Sequence, residues 1–227
     1  YILMAIRDYH GWNSDHEALL FRAIYNLDRK FVKNIIRFAI INYQKDWILG
    51  IFSIVWDFDD GYFIINNAID YLYKTIKGRN STISHCLKNI LSFSNNNTKK
   101  QITEKRDGFV KNYIRKYINN PKRIKDIFDA MYDFDLTKKQ EFVIFFCKIN
   151  SSFSFLKELN ILPGIRHWSG SKVSAIEEEI KYLKAIRDTL NASKYLEHRV
   201  HLDTYISSLE KEKDRIILQE FLKDDGF

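Results

Sequence analysis

The sequence predicts an all-α protein: an α-solenoid of two-helix repeats, about 35–41 residues each, that ends in an antiparallel helical hairpin. Three observations carry this expectation. Apolar residues recur at three- and four-residue steps through nearly every segment, which gathers them on one face of a helix. Only 8 Gly and 2 Pro interrupt 227 residues, too few turn formers for an architecture of many short strands. Finally, blocks of sequence recur within the chain at the spacing of helix pairs.

In chain order, helices are expected at about 14–26, 28–43, 46–56, 60–77, 82–92, 99–119, 121–133, 137–149, 152–159, 172–190 and 193–223. Ser14-Asp15-His16-Glu17 reads as a capping box, in which a side-chain oxygen accepts from an orphan amide and a carboxylate three residues on reciprocates. Leu19, Leu20, Ala23, Ile24 and Leu27 follow it at helical steps. Thr137-Lys138-Lys139-Gln140 and Ser174-Ala175-Ile176-Glu177 read as two further boxes, the first followed by Phe142, Phe145, Phe146 and Ile149.

The repeat has two ordered blocks. Phe31-Val32-Lys33-Asn34-Ile35-Ile36-Arg37 returns as Phe109-Val110-Lys111-Asn112-Tyr113-Ile114-Arg115, and Trp56-Asp57-Phe58-Asp59 returns as Tyr132-Asp133-Phe134-Asp135. The second block has an intermediate copy. Aligned on Phe58, Phe93 and Phe134, apolar residues coincide at Ile48, Ile83 and Ile124, at Ile51, Cys86 and Ile127, and at Phe52, Leu87 and Phe128. They coincide again at Val55, Ile90 and Met131, and at Trp56, Leu91 and Tyr132, which makes one wide helical stripe. A helix pair cannot bury such a stripe alone, so neighbours must stack on it. The aromatic residues are accordingly expected to be packing, with no ligand role.

The repeats end near Leu159, where Leu162 to Ser171 holds one proline and two glycines. The domain reading is therefore repeats over 1–160, a breaker loop over 161–171 and a hairpin or cap over 172–227. The hairpin follows from Ile176, Ile180, Leu183, Ile186 and Leu190 on one long helix, Leu196, Leu202, Ile206, Leu209 and Ile216 on the next, and a tight joint at Asn191-Ala192-Ser193.

Two isolated thiols, Cys86 and Cys147, make no disulfide framework and point to a reducing, cytoplasmic setting. The longest uncharged run in the apolar middle, Trp47 to Trp56, is too short to cross a membrane. The start at Tyr1 lacks the pattern of a signal peptide and reads as a cut into the middle of a helix of a longer protein. The net charge of +7 is local: ten bases face two acids between Thr98 and Lys125, whereas the stretch from Ile176 onward is slightly acidic.

That charge supplies the candidate binding residues, Lys99, Lys100, Lys105, Arg106, Lys111, Arg115 and Lys116. Phe109, Tyr113 and Tyr117 interleave with them, as in a nucleic-acid groove, but they share one helical face that the repeat assigns to the core. An acidic protein partner and a nucleic acid reached through the basic segment 98–125 both stay open. A ribonuclease reading rests on Arg79 and His85, whose spacing matches the Arg-x(4–6)-His pattern of HEPN-type nucleases, with His as acid or base and Arg stabilising the phosphorane. Glu197, His198 and His201 fall within one helical turn but lack a fourth ligand, so no metal and no cofactor are expected. The acidic runs Asp57 to Asp60 and Asp133 to Asp135 precede helices, where capping explains them.

The block Ile-x2-Ile-Phe-x3-Val-Trp-Asp-Phe-Asp resembles the C-terminal helical-repeat regions of large bacterial STAND-type NTPases used in antiphage defence. So does the ending, with Ile176-Glu177-Glu178-Glu179-Ile180-x2-Leu183 followed by Lys194-Tyr195-Leu196-Glu197-His198-Arg199. The resemblance implies a sensor region that docks a phage protein, with the NTPase upstream of Tyr1 and no catalytic residue of its own. The expectation is a non-catalytic helical-repeat recognition module of an intracellular bacterial protein, binding a protein partner without membrane contact.

Overall fold

The computed structural model describes residues 23–41, 55–56, 62–75, 80–91, 100–131, 134–159 and 171–224. Among these residues the fold is all-α. The helices are α1 (Arg29–Ile41), α2 (Phe63–Thr75), α3 (Asn80–Leu91), α4 (Lys100–Lys116), α5 (Pro121–Ala130), α6 (Leu136–Ile149), α7 (Phe153–Leu159), α8 (Lys172–Thr189) and α9 (Leu196–Asp224), the last entered through a 3-10 turn at Ser193–Tyr195. Of the helices expected at 14–26 and 46–56, only 23–27 and 55–56 are described, and both pieces are helical. No helix among the described residues is long and apolar enough to cross a membrane.

Short polar side chains set the helix starts. Asp28 Oδ1 accepts from the Lys30 and Phe31 amides at 2.9 and 3.0 Å and opens α1. Asn120 Oδ1 accepts from the Arg123 amide at 3.1 Å, and Pro121 takes the first position of α5, where its missing N–H costs nothing. Two expected boxes start elsewhere. The cap of α6 is Asp135, whose Oδ1 accepts from the Lys138 amide at 2.8 Å, so Thr137 lies inside the first turn. A carboxylate two residues earlier outcompetes the hydroxyl because it also meets the positive end of the helix dipole. The cap of α8 is Ser171, whose Oγ accepts from the Val173 amide at 3.1 Å, and Ser174 again falls inside the helix. The box at Ser14 lies outside the described residues.

The chain divides into two compact units, Tyr1–Lys116 with Asp126–Asp133, and Tyr117–Lys125 with Phe134–Phe227. This division differs from one drawn at the 161–171 loop. The hairpin shares its unit with α6 because α8 packs directly on α6.

In the first unit the aligned stripe is buried at every described position but one, with Ile83, Cys86, Leu87, Ile90 and Leu91 on α3 and Ile127 and Met131 at α5 all inaccessible, and Phe128 half-buried. Val55 and Trp56 occupy the same stripe positions as Ile90 and Leu91 and are buried as well. Trp56 is the central ring. Its Nε1 donates to the Ile90 carbonyl at 2.6 Å, its carbonyl accepts from Lys105 Nζ at 3.2 Å, and its ring meets Tyr62 and Phe109 edge-on at 6.4 and 5.6 Å. A polar cluster closes the same unit: Tyr73 Oη donates to Asp126 Oδ2 at 2.7 Å and shares a hydrogen bond with Tyr113. Burial, foremost, raises the Tyr73 pKa and keeps the phenol neutral.

In the second unit α8 and α9 form the expected antiparallel pair. Ion pairs run from Lys172 with Glu212 (2.8 Å) at the open end to Arg187 with Asp203 (2.9 Å) near the turn. These pairs are largely solvated and contribute about 0–1 kcal/mol each, so they select the register while Ile176, Leu183, Ile186, Leu202 and Ile206 supply the burial. His198 is buried at the start of α9, its ring edge-on to Phe153 of α7 and Tyr195 at 5.5 Å each, and neither ring nitrogen finds a hydrogen-bonding partner among the described residues.

Burial holds the His198 pKa below the ordinary histidine value, and the His201 charge acts the same way while Glu197 opposes both. The neutral imidazole therefore adds stability above about pH 6.5, and that stability is lost as pH falls toward the lowered folded-state pKa. Urea midpoints measured between pH 7 and pH 5 are expected to fall, and to fall less in His198→Phe. An identical slope in the variant would assign the acid sensitivity elsewhere.

Cys86 and Cys147 are free and buried, and burial pushes their thiols up to about 11 and about 12. Neither thiolate forms appreciably at neutral pH. A colorimetric disulfide reagent is expected to find no fast-reacting thiol in the native chain and two in urea; rapid native labelling would contradict the packing of α3 or α6.

Candidate partner-binding surface

Helix α4 is amphipathic in a simple way. Phe109, Val110, Tyr113 and Ile114 point inward and are buried, so two of the three rings interleaved with its cations are sealed in the core. Tyr117, just past the helix, is half-buried beneath the Arg123 guanidinium at 4.4 Å.

The seven sequence-predicted cations fall into distinct environments. Lys99 lies outside the described residues, and Lys100 is the first residue of α4. Lys105 is half-buried and turned inward, its ammonium bound to the Trp56 carbonyl and its own carbonyl accepting from Tyr62 Oη at 3.0 Å. Arg106 is 14% exposed, its Nε 3.7 Å from Asp107 Oδ1. Lys111 is half-buried, and Arg115 and Lys116 are exposed at the C-terminal end of α4, where cations oppose the negative end of the dipole. Among the described side chains, the reachable part of the basic face is thus Lys111, Arg115 and Lys116. Asn112 shapes it, accepting through Oδ1 from Arg115 Nη1 at 3.2 Å.

A second basic face, on α1, was not singled out from sequence. Lys33 Nζ stands 4.1 Å from the Phe63 ring centroid and the Arg37 guanidinium 5.1 Å from that of Tyr71, both rings on α2. Its signal was present in the recurring block, which repeats Lys33, Asn34 and Arg37 along with the apolar residues.

Among the described residues, none of the other candidates is assembled into a site. His85 is exposed on α3 between the buried Ile83 and Cys86, and Arg79 lies outside the described residues. His198 is withdrawn into the core, away from a surface site with Glu197 and His201, and the described residues contain no group of three His, Cys, Asp or Glu that could hold a metal ion. Asp135 caps α6, while Asp57, Asp59, Asp60 and Asp133 lie outside the described residues. A groove of about 440 Å³ on the second unit runs along α8 and α9 and is crossed by the Lys184–Glu210 and Lys213–Glu177 ion pairs.

Comparison with family models, with curated proteins and with solved structures finds no match for this chain. Fold and surface together define an all-helical protein with a locally basic face on α4.

Proposed function

We propose that the chain is a non-catalytic recognition module of a larger intracellular bacterial protein and binds a protein partner through the basic face of α4. The observation that carries this reading is the division of α4 itself. Its apolar half is spent on the core, and Lys111, Arg115 and Lys116 remain at the surface. A partner meeting this face is read by charge, which steers encounter and selects against basic surfaces. The burial of Phe109 and Tyr113 removes the rings on which the bases of a single strand would stack, which favours a protein over a single-stranded nucleic acid. The resemblance to STAND-type sensor regions supports the same class and makes a phage protein the natural candidate.

The test is charge reversal in the full-length parent. Lys111→Glu/Arg115→Glu/Lys116→Glu is expected to abolish co-purification of the partner, with helicity by circular dichroism unchanged, while Lys181→Glu on α8 leaves capture intact. Undiminished capture by the triple variant would refute the role of α4. Retention on RNA or heparin that falls steeply with salt, without any protein captured, would move the function to nucleic-acid binding.

A further inference from the structure

The recurring block copies surface as well as core. Within it, Val32 and Val110 are buried, Ile35 and Tyr113 are buried, Lys33 and Lys111 are half-buried, and Asn34, Asn112, Arg37 and Arg115 are exposed. Packing accounts for the shared apolar residues. It does not account for a shared Lys-Asn-x-x-Arg on the solvent side, when identity stops at both ends of the block, with Lys30 facing Gly108 and Phe38 facing Lys116.

Both copies also meet the segment around α2, though through different side chains: Lys33 and Arg37 lie over the Phe63 and Tyr71 rings, while from α4 Phe109 meets Tyr62 at 5.4 Å and Tyr113 shares a hydrogen bond with Tyr73. In each copy the arginine is held before any ligand arrives, Arg37 over the Tyr71 ring and Arg115 by the Asn112 amide oxygen. A guanidinium fixed in this way loses less entropy on gripping a carboxylate, for which its planar fork is suited.

We infer that Lys33, Asn34 and Arg37 on α1 form a second carboxylate clamp equivalent to Lys111, Asn112 and Arg115 on α4, and that the first unit binds an acidic polypeptide through both clamps at once. The inference rests on the reading of α4 above and extends it to a bivalent contact. An acidic polypeptide fits better than a duplex. The clamps offer four cations, fewer than the about 6–10 phosphate contacts of a protein whose duplex binding is steeply salt-dependent, and the Phe63 and Tyr71 rings are already covered by their own cations.

The experiment measures binding of fluorescein-labelled poly-L-glutamate to the 227-residue chain at low salt, with a labelled RNA duplex as the contrasting probe. Lys33→Glu/Arg37→Glu and Lys111→Glu/Arg115→Glu are each expected to weaken poly-L-glutamate binding by about tenfold or more, and the fourfold variant by about 10²–10⁴, as loss of a linked contact implies. Lys33→Gln/Arg37→Gln, which introduces no repulsion, should show the same order of effect for α1, with helicity confirming the fold of every variant. If the α1 variants bind as wild type and the α4 variants do not, the second clamp is overturned and the α4 reading stands. If neither pair changes binding, both fall. Tight binding of the RNA duplex with poly-L-glutamate silent would overturn the partner class.

Discussion

Trp56→Ala is expected to destabilise the chain by about 3–5 kcal/mol, the range for deleting a large aromatic from a closed core. Trp56 is fully buried, its ring lies edge-on to Tyr62 and Phe109, and its Nε1 caps the Ile90 carbonyl at 2.6 Å. That carbonyl belongs to the last turn of α3, so alanine removes its indole donor as well as opening a void. Trp56→Phe separates the two contributions. It keeps an apolar ring while losing the hydrogen bond, and should cost about 1–3 kcal/mol for the unsatisfied group, with a smaller cavity added. Urea unfolding followed by circular dichroism gives both values. A loss below about 1 kcal/mol in the alanine variant would mean that Trp56 is not a core residue.

Phe146→Ala should have a comparable effect in the second unit, again about 3–5 kcal/mol. Phe146 is fully buried on α6 and stacks on Phe155 of α7, with ring centroids 5.7 Å apart and planes 23° from parallel. It is a ring that ties the short helix α7, only seven residues long and too short to persist alone, to α6. Phe146→Leu keeps most of the buried volume and should cost less than half as much. Equal losses for leucine and alanine would show that ring stacking, not volume, holds α7 in place.

Much of the fold was legible because burial follows helical periodicity. The stripe read from offsets at Ile83, Cys86, Leu87, Ile90, Ile124, Ile127 and Met131 is the buried set, and the hairpin was visible in the spacing of Ile176, Leu183, Leu202 and Ile206. Caps were less legible, since the sequence offers Asp135 and Thr137, or Ser171 and Ser174, within one turn, and only the backbone path selects between them. The binding surface was legible as charge but not as geometry. Lys105 and Arg106 count as cations in a charge tally, yet a backbone carbonyl and a neighbouring carboxylate draw them inward. The basic face of α1 was hidden for the opposite reason: four cations spread among apolar residues do not register as a charge cluster until α2 rings are found beneath two of them.

A chain that carries two near-copies of one helix runs the risk of docking the wrong copy during folding. Tyr62 bears on that risk. Its backbone is held at φ 53, a left-handed conformation that costs a residue with a side chain about 1–3 kcal/mol, and its hydroxyl reaches across to Lys105 over Gly108. A Cβ at position 108 would lie 3.0 Å from that hydroxyl. The equivalent position on α1 is Lys30, so only α4 has the notch that admits the tyrosine. The glycine thus works as a key cut into one of two otherwise similar helices. It gives the chain a means of telling its duplicates apart, so that each takes its own place beside α2.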